Sequence, residues 1–163
     1  MTEIFSKEEL KAIDGFVDEL ESLGAKKDKI SLYQMGSTMK ILKNLCTPAK
    51  TILICDAGWG NGLLLAVLAK KFSRFICYDT NPYCGDFIIE YFKRSFGLDI
   101  LFLKASPADL DFSRESQVSI AGAIIEEKLV ILSANSKLRK HHFQQMLDNP
   151  IVCAIIKDGV LIK

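Results

Sequence analysis

The stretch of this chain best equipped for chemistry is Asp56-Ala57-Gly58-Trp59-Gly60-Asn61-Gly62, directly after the apolar run Thr51-Ile52-Leu53-Ile54-Cys55. Glycines at alternate positions after a strand let the backbone turn sharply and approach a ligand with no Cβ in the way. A helix opening near Leu63 aims its first amides at the same space. This suits a nucleotide-like ligand, and the spacing narrows the choice. A dinucleotide fingerprint requires glycine at position 63, but Leu63 stands there and the third glycine comes one residue early, at Gly62. No Gly-x-x-x-x-Gly-Lys-Ser/Thr occurs, which argues against a phosphate loop. Asp56 would repel a pyrophosphate, and is instead placed to accept hydrogen bonds, directly or through water, from a cationic amine. The competing reading is a turn that serves packing alone. Asp79 closes a second apolar run, Phe75-Ile76-Cys77-Tyr78, and opens Asp79-Thr80-Asn81-Pro82, a sequence that is also good turn chemistry.

The elements that position these residues follow from periodicity. Ser6 and Glu9 form a capping box ahead of Leu10, Ile13, Phe16, Val17 and Leu20, which predicts an amphipathic helix from Lys7 to about Leu23, stopped at Gly24. A second helix is expected over Leu32 to Leu45, with Tyr33, Met35 and Met39 either in the core or over a ligand. Strands are expected at 51–55, 75–78, 100–103 and 129–132, with helices at 63–72, 86–96 (stopped by Gly97) and 136–147. Glu115 to Lys128 fits either period, and is read as helix because a crossover between parallel strands usually contains one. Ile151 to Lys163 reads as a hairpin turning at Asp158-Gly159. The alternation predicts a doubly wound, mostly parallel α/β sheet, with two N-terminal cap helices (1–49), a core (50–163) and a C-terminal hairpin in one domain. In such sheets ligands bind at the carboxyl ends of the strands, where the strand order switches.

The glycine turn resembles the first motif of the class I S-adenosylmethionine-dependent methyltransferases, whose pattern of acidic, any, Gly, any, Gly, any, Gly is met at every required position by 56–62. The resemblance spans roughly 51–132. It implies a Rossmann-like methyltransferase fold with S-adenosylmethionine as cofactor. Gly58, Gly60 and Gly62 would cradle its methionyl part, Asp56 would help place the ammonium, and Asp79 would hold the ribose hydroxyls. Ser106 falls in the adenine-side loop Lys104-Ala105-Ser106-Pro107-Ala108-Asp109, which departs from the family in lacking an acidic residue directly after the strand. Ser133-Ala134-Asn135-Ser136 lacks the Pro-Pro-Tyr of amino-directed members, so adenine-N6 or glutamine methylation is not supported. The reading is a methyltransferase of unknown acceptor (a small molecule, protein or RNA), and no catalytic base is named. The alternative is a non-catalytic scaffold of the same fold. A third idea, a Rossmann oxidoreductase, is opposed by the glycine spacing.

Composition fits these expectations. The chain has 163 residues, 49% hydrophobic and 25% charged, with a net charge of +1, as in an ordinary globular protein. The charge balance argues against a surface devoted wholly to DNA and leaves room for a local basic patch. Lys137 to His142 is such a run, read as a solvated helix face or as a phosphate or RNA contact. Adjacent histidines are not an i, i+4 pair, and no metal site is expected. Five scattered cysteines without a C-x-x-C pair fit a reducing cytoplasm. No apolar run reaches the ~18 residues of a membrane span, and the N-terminus lacks a signal-peptide pattern. The terminal hairpin offers an edge through which a homodimer is possible.

Overall fold

The structure is a computed structural model that describes residues 4–24, 32–133 and 139–163. Its first helix, α1 (Lys7–Ser22), opens on the expected capping box: the Ser6 hydroxyl accepts from the Glu9 amide at 3.1 Å, and the Glu9 carboxylate accepts from the Ser6 amide at 2.8 Å. The second helix, α2 (Leu32–Asn44), is tied to it by Lys43, whose ammonium donates to Glu9 and to the Ile4 carbonyl. Then come β1 (Thr51–Cys55), α3 (Asn61–Leu68), β2 (Arg74–Asp79), α4 (Pro82–Phe96) and β3 (Leu101–Lys104). After a 3-10 turn at 107–109 follow β4 (Leu110–Asp111), β5 (Val118–Ile120), β6 (Ala123–Ile125) and β7 (Leu129–Ser133). The chain finishes with α5 (Lys140–Asp148), β8 (Val152–Lys157) and β9 (Val160–Leu161).

The main sheet has the order β3-β2-β1-β7-β8-β9, parallel except for β9, which returns through the expected Asp158-Gly159 turn with both residues at positive φ. This is the α/β fold with a mostly parallel sheet that the sequence predicts. β1 and β7 are buried at every position, because each face of the sheet is covered. Ile52 and Ile54 of β1 point with Val130 and Leu132 into a core completed by residues from α1 to α4. Leu53, Cys55 and Ile131 belong to the opposite core, closed by β4–β6 and by Met146 of α5. Phe16 of α1 meets Phe87, Tyr91 and Phe92 of α4 at ring distances of 5.3 to 6.2 Å, so the first N-terminal helix is packed onto the sheet's helical layer. Met35 and Met39 are buried in that layer and are core residues; the side chain of Tyr33 lies outside the described residues.

One expectation is overturned. The segment expected as a helix over 115–128 is instead the hairpin β5–β6, which with β4 forms a separate antiparallel sheet. Ala121 and Gly122 sit at φ 49° and 88°, the left-handed pair of a two-residue type I′ turn. Val118 and Ile120 are buried while Ser119 between them is not, a period of two. The crossover from β3 to β7 is therefore made by strands, and what it had to supply was an apolar cover for the sheet. Smaller differences lie at element ends. Helix α3 begins two residues earlier than expected, and it ends before Lys70, which takes φ 56°. Helix α4 begins at Pro82, capped by the Asn81 side chain. Of the helix expected over 136–147, residues 136–138 lie outside the described residues, as does Asn135.

Candidate functional site

Because the strand order reverses between β1 and β7, the crevice at their carboxyl ends is where a ligand can enter. The glycine turn stands there. Asp56 leaves β1 in the left-handed region at φ 51°, which aspartate tolerates better than most residues. The Ala57 amide donates to the Tyr78 carbonyl at 2.9 Å, fastening the turn to the end of β2. Asp79, the last residue of β2, is only 7% exposed. Its Oδ2 accepts from the Gly58 amide at 2.7 Å and its Oδ1 from the Asn81 amide at 2.9 Å. Turn and second carboxylate are thus one assembly.

Asp56 faces that carboxylate. Burial first, then the charge of Asp79 and a hydrogen bond between the two carboxyls, push the Asp56 carboxyl above the usual range. A like charge beside a carboxyl disfavours its ionised form. A cationic group placed against the pair would relieve the repulsion. Cys84, buried in the first turn of α4, has its thiol pushed up to about 11 by burial and by the charge of Asp79. Burial raises the Cys55 thiol to about 12. Neither supplies a thiolate nucleophile at neutral pH.

The three glycines do different work. Gly58, at φ 55°, would carry its Cβ into open space, so its surface is bare toward any ligand. Gly60, at φ 99°, would place a Cβ 3.2 Å from Ile88. A Cβ at Gly62 would stand 3.2 Å from Leu132 and 3.6 Å from Ile54, so this glycine lets α3 lie close on the sheet. The packing reading therefore holds for Gly62, and Gly58 is the position left open. No side chain caps α3, leaving its first-turn amides to the crevice end of the helix. Asn61, between two of the glycines, has a buried Oδ1 with no partner among the described residues. It was not foreseen, since its position in the motif accepts any residue.

Ser106 is placed differently from Asp79. Its amide and hydroxyl both donate to Asp109, at 2.8 and 3.1 Å, in a second capping box. Those two donors are engaged, and the hydroxyl retains only its acceptor lone pairs. Asp109 serves this turn. Trp59 is half-buried, edge-on to Phe87 at 5.8 Å, covering the apolar layer. Ser133, at the end of β7 beside Cys55, is fully buried, its hydroxyl has no partner among the described residues, and it was not singled out by sequence. No group of three or more His, Cys, Asp or Glu suited to a metal occurs among the described residues. Nor is any described helix long and apolar enough to cross a membrane.

No family model matches the chain, and no curated protein matches it in sequence. Solved structures do. The SAH-bound methyltransferase PaMTH1 of Podospora anserina aligns at a TM-score of 0.61 and 14% identity, over 94% of this chain and 70% of its own. A protein of Methanococcus maripaludis assigned as an S-adenosyl-L-methionine-dependent methyltransferase gives 0.54 at 12% identity, over 86% and 60%. The 23S rRNA methyltransferase ErmE gives 0.51 at 15%, over 74% and 44%. The chain thus spans less than two thirds of the length of the latter two. At these identities the likeness is one of fold, and the chain has the class I methyltransferase fold.

Proposed function

We propose that this protein binds S-adenosylmethionine at the Asp56–Asp79 crevice and transfers its methyl group to an acceptor. The observation that carries the reading is the Asp79 carboxylate, held by the Gly58 and Asn81 amides at the carboxyl end of β2 with Asp56 against it. An amino-acid ligand end carries an ammonium and a carboxylate, and this crevice offers both complements: an acidic pair and the uncapped amides of α3. Asn61 Oδ1 adds an acceptor that lacks a partner. A carboxylate has about four acceptor sites, so Asp79 keeps room for a diol after its two amide bonds. The bare Gly58 lets the ligand close onto the backbone. When bound, the cofactor would supply an electrophilic sulfonium methyl group for transfer to the acceptor. The residues named here bind and orient, and orientation alone supplies much of the acceleration for such a transfer. We assign the protein to the cytoplasm, a reading supported by its five free cysteines.

The second reading, a binding or scaffold protein without catalysis, is favoured by the adenine-side loop, where the Ser106 donors close on Asp109. Calorimetric titration with S-adenosylmethionine and S-adenosylhomocysteine separates the two. One-to-one binding, weakened at least about tenfold in Asp79→Ala as expected for a hydrogen bond to a charged group, supports the enzyme reading. Absence of heat and of thermal shift with either ligand overturns it in favour of the scaffold.

A further inference from the structure

The carboxyl edge of the sheet is divided in charge. Over β1 and β2 it is acidic, with Asp56 and Asp79. Over β7 and β8 cations predominate: Lys157 ends β8, followed by Asp158 in the turn, and Arg139 and Lys140 open α5, the helix between these two strands. Lys157 Nζ lies 5.1 Å from the ring centre of Phe143, itself a half-exposed residue of α5 whose amide donates to the Arg139 carbonyl. One helical turn therefore brings Arg139, Lys140, Phe143 and Lys157 together. Arg139, Lys140 and the adjacent His141 are exposed, and neither Arg139 nor Lys140 forms an ion pair with any described residue.

The placement runs against helix electrostatics. The N-terminus of a helix carries partial positive charge and favours acidic residues, at roughly 0.3–1 kcal/mol each. The first turn of α5 has none, its N-cap is Arg139, and among the described residues no side chain caps its amides. The field reaches the buried His142, whose imidazole is pushed below its usual range first by burial and then by the charges of His141 and Arg139. Among the described residues the Nδ1 of His142 has no partner. Cations gathered on an uncapped helix start are costly in the free protein and favourable only beside an anion. Conflicts of this kind between local rules and the observed residue mark functional surfaces.

We propose that this basic face, formed by Arg139, Lys140 and Lys157 around Phe143, binds the phosphodiester backbone of a nucleic-acid strand. Resting on the methyl-transfer reading, it makes that strand the carrier of the acceptor, presented from the β7–β8 side to a cofactor held on the β1–β2 side. The exposed, spread cations suit a strand better than a single phosphate, and the half-exposed aromatic offers a surface on which a base stacks.

Fluorescence anisotropy of a labelled 12-nucleotide RNA, with DNA of the same sequence in parallel, tests this on the full chain across a salt series. Wild type binds saturably with affinity falling as salt rises. The double variant Arg139→Gln/Lys140→Gln weakens binding at least about tenfold and flattens the slope of log affinity against log salt by about 1.4, near 0.7 for each phosphate that is no longer neutralised. Lys157→Met, which keeps its packing on Phe143, flattens it by one such step. Circular dichroism melting of the variants at or above wild type excludes unfolding as the cause. Failure of both strands to bind, or an unchanged slope in the variants, overturns the proposal. So does inorganic phosphate or a mononucleotide competing as well as the strand, since the face then serves a small phosphorylated molecule. Titration with S-adenosylhomocysteine keeps the two readings apart: the double variant retains that ligand, and Asp79→Ala retains the strand. A chain that binds the strand through this face and ignores S-adenosylhomocysteine keeps this proposal and loses the other.

Discussion

Asp56 is the residue at which binding and stability pull in opposite directions. Its folded carboxyl is raised above the unfolded value, so its favourable contribution is present below about pH 3.9 and is lost as pH rises through the folded value. At neutral pH the pair of carboxylates is therefore a liability to the free protein. Asp56→Asn should melt higher than wild type at pH 7, with the advantage shrinking toward pH 4; melting curves across that range check the sign. The same variant should bind S-adenosylmethionine about tenfold more weakly, because a charged partner for the ammonium is gone. At this scale the sequence was informative where a residue type has few uses. A carboxylate ending each of two apolar runs, with glycines between, pointed to a ligand site beside the competing reading of a packing turn, and the structure joins Asp79 to Gly58 directly. Asn61 and Ser133 escaped notice because what distinguishes them is a buried oxygen without a partner among the described residues, a property that only packing creates. His142, expected on a solvated run, is buried edge-on to Phe112, since the basic run marks only one side of α5.

Elements were legible where one period excluded the other. The strands buried on both faces are short apolar runs closed by turn residues, and each of those expected is present, with ends shifted by a residue or so. Segment 115–128 was not legible, because Val118, Ala121, Ile124 and Ile125 satisfy a helical stripe while Val118 and Ile120 also alternate. The deciding signal was Ala121-Gly122, a turn pair whose first residue is a poor one. Alanine at φ 49° carries a steric cost of roughly 1–2 kcal/mol that asparagine largely avoids. Ala121→Asn creates the Asn-Gly pair preferred by this turn and should raise stability by about 0.5–1 kcal/mol. Urea unfolding reads this as a higher midpoint at unchanged slope. Gly85 gives the opposite case. Its Cβ would stand 2.6 Å from the Phe102 ring, so α4 lies on β3 with no room for one more carbon. Gly85→Ala should cost about 1–3 kcal/mol as an overpacking change, which the same unfolding experiment measures.

At the scale of the whole molecule, two covers of different construction share one sheet: helices on one face, a small antiparallel sheet with α5 on the other. The sheet between them carries the Asp56–Asp79 crevice at one end, and its order sets that crevice apart from the cations of α5 and β8. That the crossover is made of strands also bears on how quickly the chain assembles. Pairing β1 with β7 brings Thr51 to Leu129 and must close a long loop, whereas Leu110 meets Ile120, and Ile120 meets Ala123, across very short ones. The entropic cost of closing a loop grows with its length, so a crossover that folds early lowers the cost left for the central pair. Placing the meander in the folding nucleus predicts that Ala121→Asn accelerates refolding while leaving the unfolding rate nearly unchanged, which folding and unfolding kinetics in urea check.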